Sequence, residues 1–140
     1  MTVINRFSSF YTDLASMQIS ELSHIYSDDV LFIDPISEHR GINAVEKYFD
    51  KLLHNAKHCR FDIHTKENTE DNKFIVTWTM EFASSRMKNG NPIRVDGLSH
   101  LQVTDNKITF HRDYYDLGQM IYENVPILGR IVKKIKRGLV

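Results

Sequence analysis

From His58 onward the apolar residues change their spacing, and that change leaves few architectures open. Before it they recur at intervals of three and four, as on one face of a helix; after it they alternate, as on one face of a strand. Phe7, Phe10, Tyr11 and Leu14 mark a helix over Asn5 to Met17. Ile19, Leu22 and Ile25 continue the pattern over Ile19 to Tyr26, with Ser20 as its cap. Gly41 then opens a longer helix, Ile42 to Asn55, with Ile42, Val45, Tyr48, Phe49 and Leu52 on one face. Beyond His58, Phe61 to Thr65 reads as a strand and Glu67 to Asn72 as a polar turn. Lys73 to Phe82 is a long strand with Phe74, Val76, Trp78, Met80 and Phe82 on one side. A turn at Lys88 to Pro92 leads to two more strands, Ile93 to Thr104 and Lys107 to Tyr115, joined at Asp105-Asn106. Helices followed by an antiparallel meander predict an α+β domain, with the helices packed on one face of a bent sheet.

The 140 residues suffice for one domain with a real core. Eighteen basic residues balance eighteen acidic ones, so the overall charge predicts no nucleic-acid partner. Cys59 is the only cysteine, which excludes an intrachain disulfide and a four-cysteine zinc site; its expected state is a buried thiol. The N-terminal residues lack the apolar core of a signal peptide, and no apolar run is long enough to span a membrane. The expectation is a cytoplasmic protein.

The stretch Ile25 to Gly41, IYSDDVLFIDPISEHRG, carries the first candidate for chemistry. A helix end at Ser27-Asp28-Asp29 is followed by the short apolar strand Val30 to Ile33 and then by Asp34-Pro35. Two readings of Asp34 fit. It caps the turn that Pro35 opens, as aspartate often does. Alternatively it is a pocket carboxylate at the end of a buried strand, placed for proton transfer.

The last hairpin carries the second candidate. A two-residue turn at Asp105-Asn106 sets Thr104 opposite Lys107, Gln102 opposite Thr109 and His100 opposite His111. Opposite residues share a face, so Gln102, His100, Thr109, His111, Asp113 and Tyr115 form one polar face, against Leu101, Val103, Ile108 and Phe110 on the other. The polar face either meets water or lines a pocket. His100, His111 and Asp113 also suit zinc or iron in type, but no compact ligand motif accompanies them, and the expectation is no metal. No G-x-S-x-G, glycine-rich phosphate loop or H-E-x-x-H occurs.

Residues 117–140 form an apolar and basic tail, distinct from residues 1–116 and broken by Pro126. Its second piece, 127–137, either covers its own domain with a solvated basic face or docks on a partner subunit or an anionic membrane.

The phrase IYSDDVLFIDPISEHRGINAVEKYF, with its Y-x-x-D-x-x-x-x-D-P pattern, and the order of elements over about residues 3 to 116 resemble the ketosteroid isomerase-like and SnoaL-like polyketide cyclase branch of the nuclear-transport-factor-2-like superfamily. The resemblance implies a conical α+β barrel of a strongly bent, mostly antiparallel sheet whose N-terminal helices enclose an apolar pocket, often in a homodimer. It implies a general base at Asp34, an oxyanion donor at Tyr11 and a supporting tyrosine at Tyr26. The protonated acid of an isomerase oxyanion hole falls at His100, and a third tyrosine position is taken by Phe49. In the cyclases an aspartate on a late strand is the base, which points to Asp113, coupled here to His111. Tyr26, Trp78, Tyr115 and Phe49 would line the pocket. The expected activity is cofactor-independent proton abstraction from a small apolar carbonyl compound, as isomerase or cyclase, with an epoxide hydrolase as a variant. The alternative is a non-catalytic small-molecule or lipid-binding module, held near a membrane or a lipid-modifying enzyme by its tail.

Overall fold

The computed structural model describes residues 1–85 and 87–140. Helix α1 spans Val3–Thr12, with the Thr2 side chain accepting the amide N–H of Asn5 at its start. Short 3-10 turns follow at Leu14–Ser16 and Ile19–His24, and then strand β1, Tyr26–Ile33. The helix expected over Ile19 to Tyr26 is thus a 3-10 segment; Gln18, not Ser20, stands at its start, and Tyr26 belongs to the strand. β-branched Ile19, serines and a histidine in so short a segment give it little intrinsic hold on the α form.

After β2, Glu38–Arg40, helix α2 spans Ile42–Asn55. Gly41 precedes it at φ 85°, a conformation that glycine adopts without strain. Strands β3 (His58–Glu70), β4 (Lys73–Ala83), β5 (Ile93–Thr104) and β6 (Lys107–Tyr115) complete one six-stranded sheet in the order β2-β1-β6-β5-β4-β3. The turn expected over Glu67 to Asn72 is shorter, because β3 continues to Glu70 and only Asp71-Asn72 turns the chain, with Asn72 at φ 60°. All pairings are antiparallel except β1 with β6, which is parallel.

The expected α+β class therefore holds, and the sheet is open: β2 and β3 remain its edges. It still wraps the helices. α1 packs on β3 and α2 on β1 and β2, at opposite ends of the strand order. Yet Phe10 of α1 and Phe49 of α2 meet edge to face with ring centres 5.8 Å apart. Phe7, Phe10, Tyr11, Val45 and Phe49 pack with Phe32, Phe61, Trp78, Val95 and Leu101 in one core.

The tail is broken at Pro126 as expected, into α3 (Leu117–Met120), a 3-10 turn at Tyr122–Asn124 and α4 (Leu128–Gly138).

Candidate active site

Register decides which side chains reach the interior. The Asp105-Asn106 turn has positive φ at both residues, 51° and 58°, and sets Thr104 opposite Lys107 as the sequence suggests. One residue later β6 bulges. Val103 faces Ile108, but Gln102 faces Phe110, leaving Thr109 as the extra residue. Every following pair shifts by one. His111 lies opposite Leu101, Asp113 opposite Ser99 and Tyr115 opposite Gly97. The expected His100–His111 pair is therefore not formed. His100 sits opposite Arg112, on the far face of the sheet beside the Phe110 ring, 6.0 Å between centres. The bulge also lets apolar Ile108 and polar His111 face the core together, both fully buried.

His111 is the hub of a buried chain of hydrogen bonds. Its Nε2 lies 2.5 Å from Asp113 Oδ1, which also accepts the Ser99 hydroxyl at 2.6 Å. Ser99 Oγ in turn accepts Trp78 Nε1–H at 2.9 Å. On the other side His111 Nδ1 lies 2.7 Å from the Tyr26 hydroxyl, and Tyr26 lies 2.9 Å from the Tyr11 hydroxyl. A carboxylate only accepts, so Nε2 carries a proton toward Asp113. In the neutral ring Nδ1 is then the acceptor for Tyr26, and Tyr26 the acceptor for Tyr11. The Tyr11, Tyr26 and Tyr48 hydroxyls are all held well above the usual phenol range, first by burial; for Tyr11 the next causes are Tyr26 and the Asp113 charge.

Asp34 caps its turn and also reaches the interior. It is 7% exposed. Its Oδ1 accepts the backbone N–H groups of Ile36 and Ser37, both at 2.8 Å, which is the turn cap. Its Oδ2 accepts the Tyr48 hydroxyl at 3.0 Å, inside the domain. Tyr48 was legible only as one more apolar-face residue of α2. It stands next to Phe49, the position at which the resemblance expects the third tyrosine, and it takes up the buried carboxylate.

The pairing of β1 with β6 ends at Ile33 and Arg112, and Pro35 turns the chain away, so residues 113–115 continue past the end of their neighbour. The notch so formed is a cleft of about 440 Å³ lined by Asp34, Pro35, Arg112, Asp113, Tyr114 and Tyr115. Behind it lies a small apolar cavity of about 40 Å³, walled by Tyr11, Phe32, Phe49, Phe61, Met80 and Met120 among others. Asp113 and Tyr115 border both spaces. Tyr26 and Trp78 do not line the cavity; they stand behind it, bonded to Tyr11 and to Ser99.

Two groups in this wall are uncommitted. Asp113 Oδ2 accepts no hydrogen bond among the described residues, and neither does the Tyr115 hydroxyl form one. Burial, then the Asp34 and Asp113 charges, hold the Tyr115 phenol well above its usual range, so it stays a donor. An acceptor and a donor thus stand two residues apart on one strand face. Ser99 escaped the sequence reading because the bulge was not foreseen. The alternation Ile93, Val95, Leu101 was the available signal, since it puts Ser99 inward and His100 outward. Among the described residues no three His, Cys, Asp or Glu side chains converge as a metal site.

Comparison with known proteins agrees with this architecture. Solved structures similar to the chain include a hypothetical protein with a ketosteroid isomerase-like fold from Catenulispora acidiphila in complex with trimethylamine, at 13% identity over 84% of this chain and 87% of that one, with a TM-score of 0.72. A candidate SnoaL-like polyketide cyclase from Jannaschia is similar at 11% identity, covering 82% of this chain and 85% of that one, with a TM-score of 0.68. An LEH-like epoxide hydrolase of M. tuberculosis is similar at 15% identity, covering 84% and 83%, with a TM-score of 0.68. At these identities the likeness shows the fold. No curated protein matches the chain in sequence. The model of the SnoaL-like domain matches residues 7–111, three-quarters of the chain, which takes in Tyr11, Tyr26, Asp34 and His111 and ends just before Asp113 and Tyr115. The chain belongs to the SnoaL-like domain family.

Proposed function

We propose that the notch is the active site of a cofactor-independent enzyme that removes a proton beside the carbonyl of a small apolar molecule, as an isomerase or a cyclase. The observation that carries this is the pair of uncommitted groups: Asp113 Oδ2, with its twin oxygen tied to Ser99 and His111, and the Tyr115 hydroxyl. Asp113 Oδ2 takes the proton. The C–H bonding pair becomes the C=C bond of an enolate, and the carbonyl π pair moves onto oxygen, where Tyr115 donates a hydrogen bond. In an isomerase Asp113 returns the proton to another carbon; in a cyclase the enolate carbon attacks a second carbonyl, the first C=O re-forms, and the second carbonyl's π pair moves onto its oxygen, which takes the proton back from Asp113. Asp34 has both oxygens engaged, so we give it the work of holding the notch open and Tyr48 in place rather than that of the base.

The test is deuterium exchange at the α-carbons of 2-tetralone in D2O, followed by proton NMR. The purified protein is expected to accelerate exchange, and Asp113→Asn to lose about 100- to 10,000-fold of that acceleration. Asp34→Asn is expected to lose less than about tenfold, in line with a group that does not transfer the proton. Full activity in Asp113→Asn, or a larger loss from Asp34→Asn, overturns the assignment.

One observation favours a second reading. The inner cavity holds about 40 Å³, little more than a water, with Met120 in its wall. A binding module that closes on its ligand without chemistry fits that. It predicts tight binding of a ketone with no exchange by any variant.

A further inference from the structure

Helix α4 is the element for which the proposed reaction has no use. Leu128, Ile131, Ile135 and Leu139 fall on one stripe at intervals of three and four. A helix covering its own domain buries such a stripe. Here all four are exposed, Ile131 at 51% and Ile135 at 59%. The helix rests instead on the Tyr122–Asn124 turn. Gly129 is its buried contact, where a side chain would collide with the Glu123 backbone, and Lys136 pairs with the Glu123 carboxylate at 3.3 Å. The stripe is thus held outward in a set orientation rather than left loose. Of the two sequence readings, the plain cover for its own domain does not match this geometry.

The charges indicate what the stripe meets. Arg130, Lys133, Lys134, Lys136 and Arg137 flank it, and residues 128–140 contain no acid. Since the whole chain has as many acids as cations, the rest of it carries five more acids than bases. The same helix of a second copy would bring five cations against five. A surface that is apolar below and anionic above meets both the stripe and its flanks.

We propose that α4 docks on an anionic lipid surface, with Leu128, Ile131, Ile135 and Leu139 at the headgroup–acyl boundary and the five cations among the phosphates. The attachment is peripheral. Eleven residues make a helix of about 16 Å, half of a bilayer core, and no described helix is long and apolar enough to cross a membrane. This inference does not depend on the reaction proposed for the notch.

Flotation of the full chain with phosphatidylcholine vesicles, with and without one-quarter phosphatidylglycerol, tests it. The wild type is expected to float with anionic vesicles and to be released by high salt. Ile131→Ser/Ile135→Ser should lose at least about tenfold of the binding, and Lys133→Ala/Lys134→Ala about fivefold for each cation removed. Both variants alter exposed side chains, so thermal melting should stay unchanged and a failure to fold is ruled out by the same samples. Absence of wild-type flotation, or equal flotation of wild type and both variants, overturns the proposal. So does a wild-type dimer that Ile131→Ser/Ile135→Ser converts to a monomer without any vesicle binding, which would put a second copy on the stripe.

Discussion

Asp34 and Asp113 border one notch, yet their hydrogen bonds separate their work. Asp34 is committed through both oxygens, to two backbone amides and to Tyr48. An asparagine there keeps an oxygen for the Ile36 and Ser37 amides, so Asp34→Asn should cost no more than about 1 kcal/mol. Asp34→Ala leaves all three donors unmatched and should cost about 1–3 kcal/mol, read from urea midpoints. Equal costs would mean that the turn bonds contribute nothing. Tyr26→Phe tests the other network. It leaves His111 Nδ1 buried without a donor and Tyr11 without its acceptor, and should destabilise by about 1–3 kcal/mol. At this scale the sequence was informative about residue types and weak on roles. The strand-end position of Asp34 was visible, but nothing local showed that one carboxylate would serve both the turn and the interior. His100 looked equivalent to His111 until register separated them.

At the scale of elements, the site depends on the bulge in β6 and on a glycine opposite an aromatic. Gly97 pairs with Trp78, and the indole lies across the space a side chain at 97 would fill. That placement lets Trp78 Nε1 reach Ser99, which in turn orients Asp113. Gly97→Ala should force the indole aside, costing about 1–3 kcal/mol and lowering the Trp78 fluorescence anisotropy or shifting its emission. Unchanged stability and emission would contradict the packing. The strands and their faces were largely readable from alternation, with Phe74, Val76, Trp78, Met80 and Phe82 on one side as expected. The 3-10 segments were not, since two or three apolar residues at helical spacing do not tell an α-helix from a tighter turn. The bulge was not readable either, because a two-residue turn predicts an unbroken ladder and the extra residue is Thr109, which fits a strand as well as any other.

For the molecule as a whole, so many buried protonated hydroxyls and a thiol make stability depend on alkaline pH. Tyr11, Tyr26, Tyr48 and Tyr115 are all held above the ordinary phenol range, with burial the first cause, and burial pushes the Cys59 thiol up from 9.0 to about 12. The folded chain keeps these protons where the unfolded chain releases them. Stability is therefore fully present below about pH 9 and is lost as pH rises through the range up to the folded values, at about 1.4 kcal/mol per pH unit for each of Tyr11, Tyr26, Tyr48 and Cys59 in its window, and by less for the half-buried Tyr115, which solvent screens. Urea midpoints at successive pH values check this, and a flat profile to pH 11 would contradict the burial. The class of the molecule and the helices packed on its sheet were legible because they follow from period and order alone. The notch was not, because it arises where β1 stops and β6 continues, a relation between strands far apart in the sequence.

The central claim is that Asp113 Oδ2 and the Tyr115 hydroxyl form the reacting pair, and a crystal structure with 2-tetralone bound tests it most directly. The account predicts the ketone in the notch, its carbonyl oxygen about 2.6–3.2 Å from the Tyr115 hydroxyl and its α-carbon about 3–3.5 Å from Asp113 Oδ2. A ketone whose α-carbon meets Asp34 instead, or whose carbonyl is held by another donor with Asp113 out of reach, would contradict it.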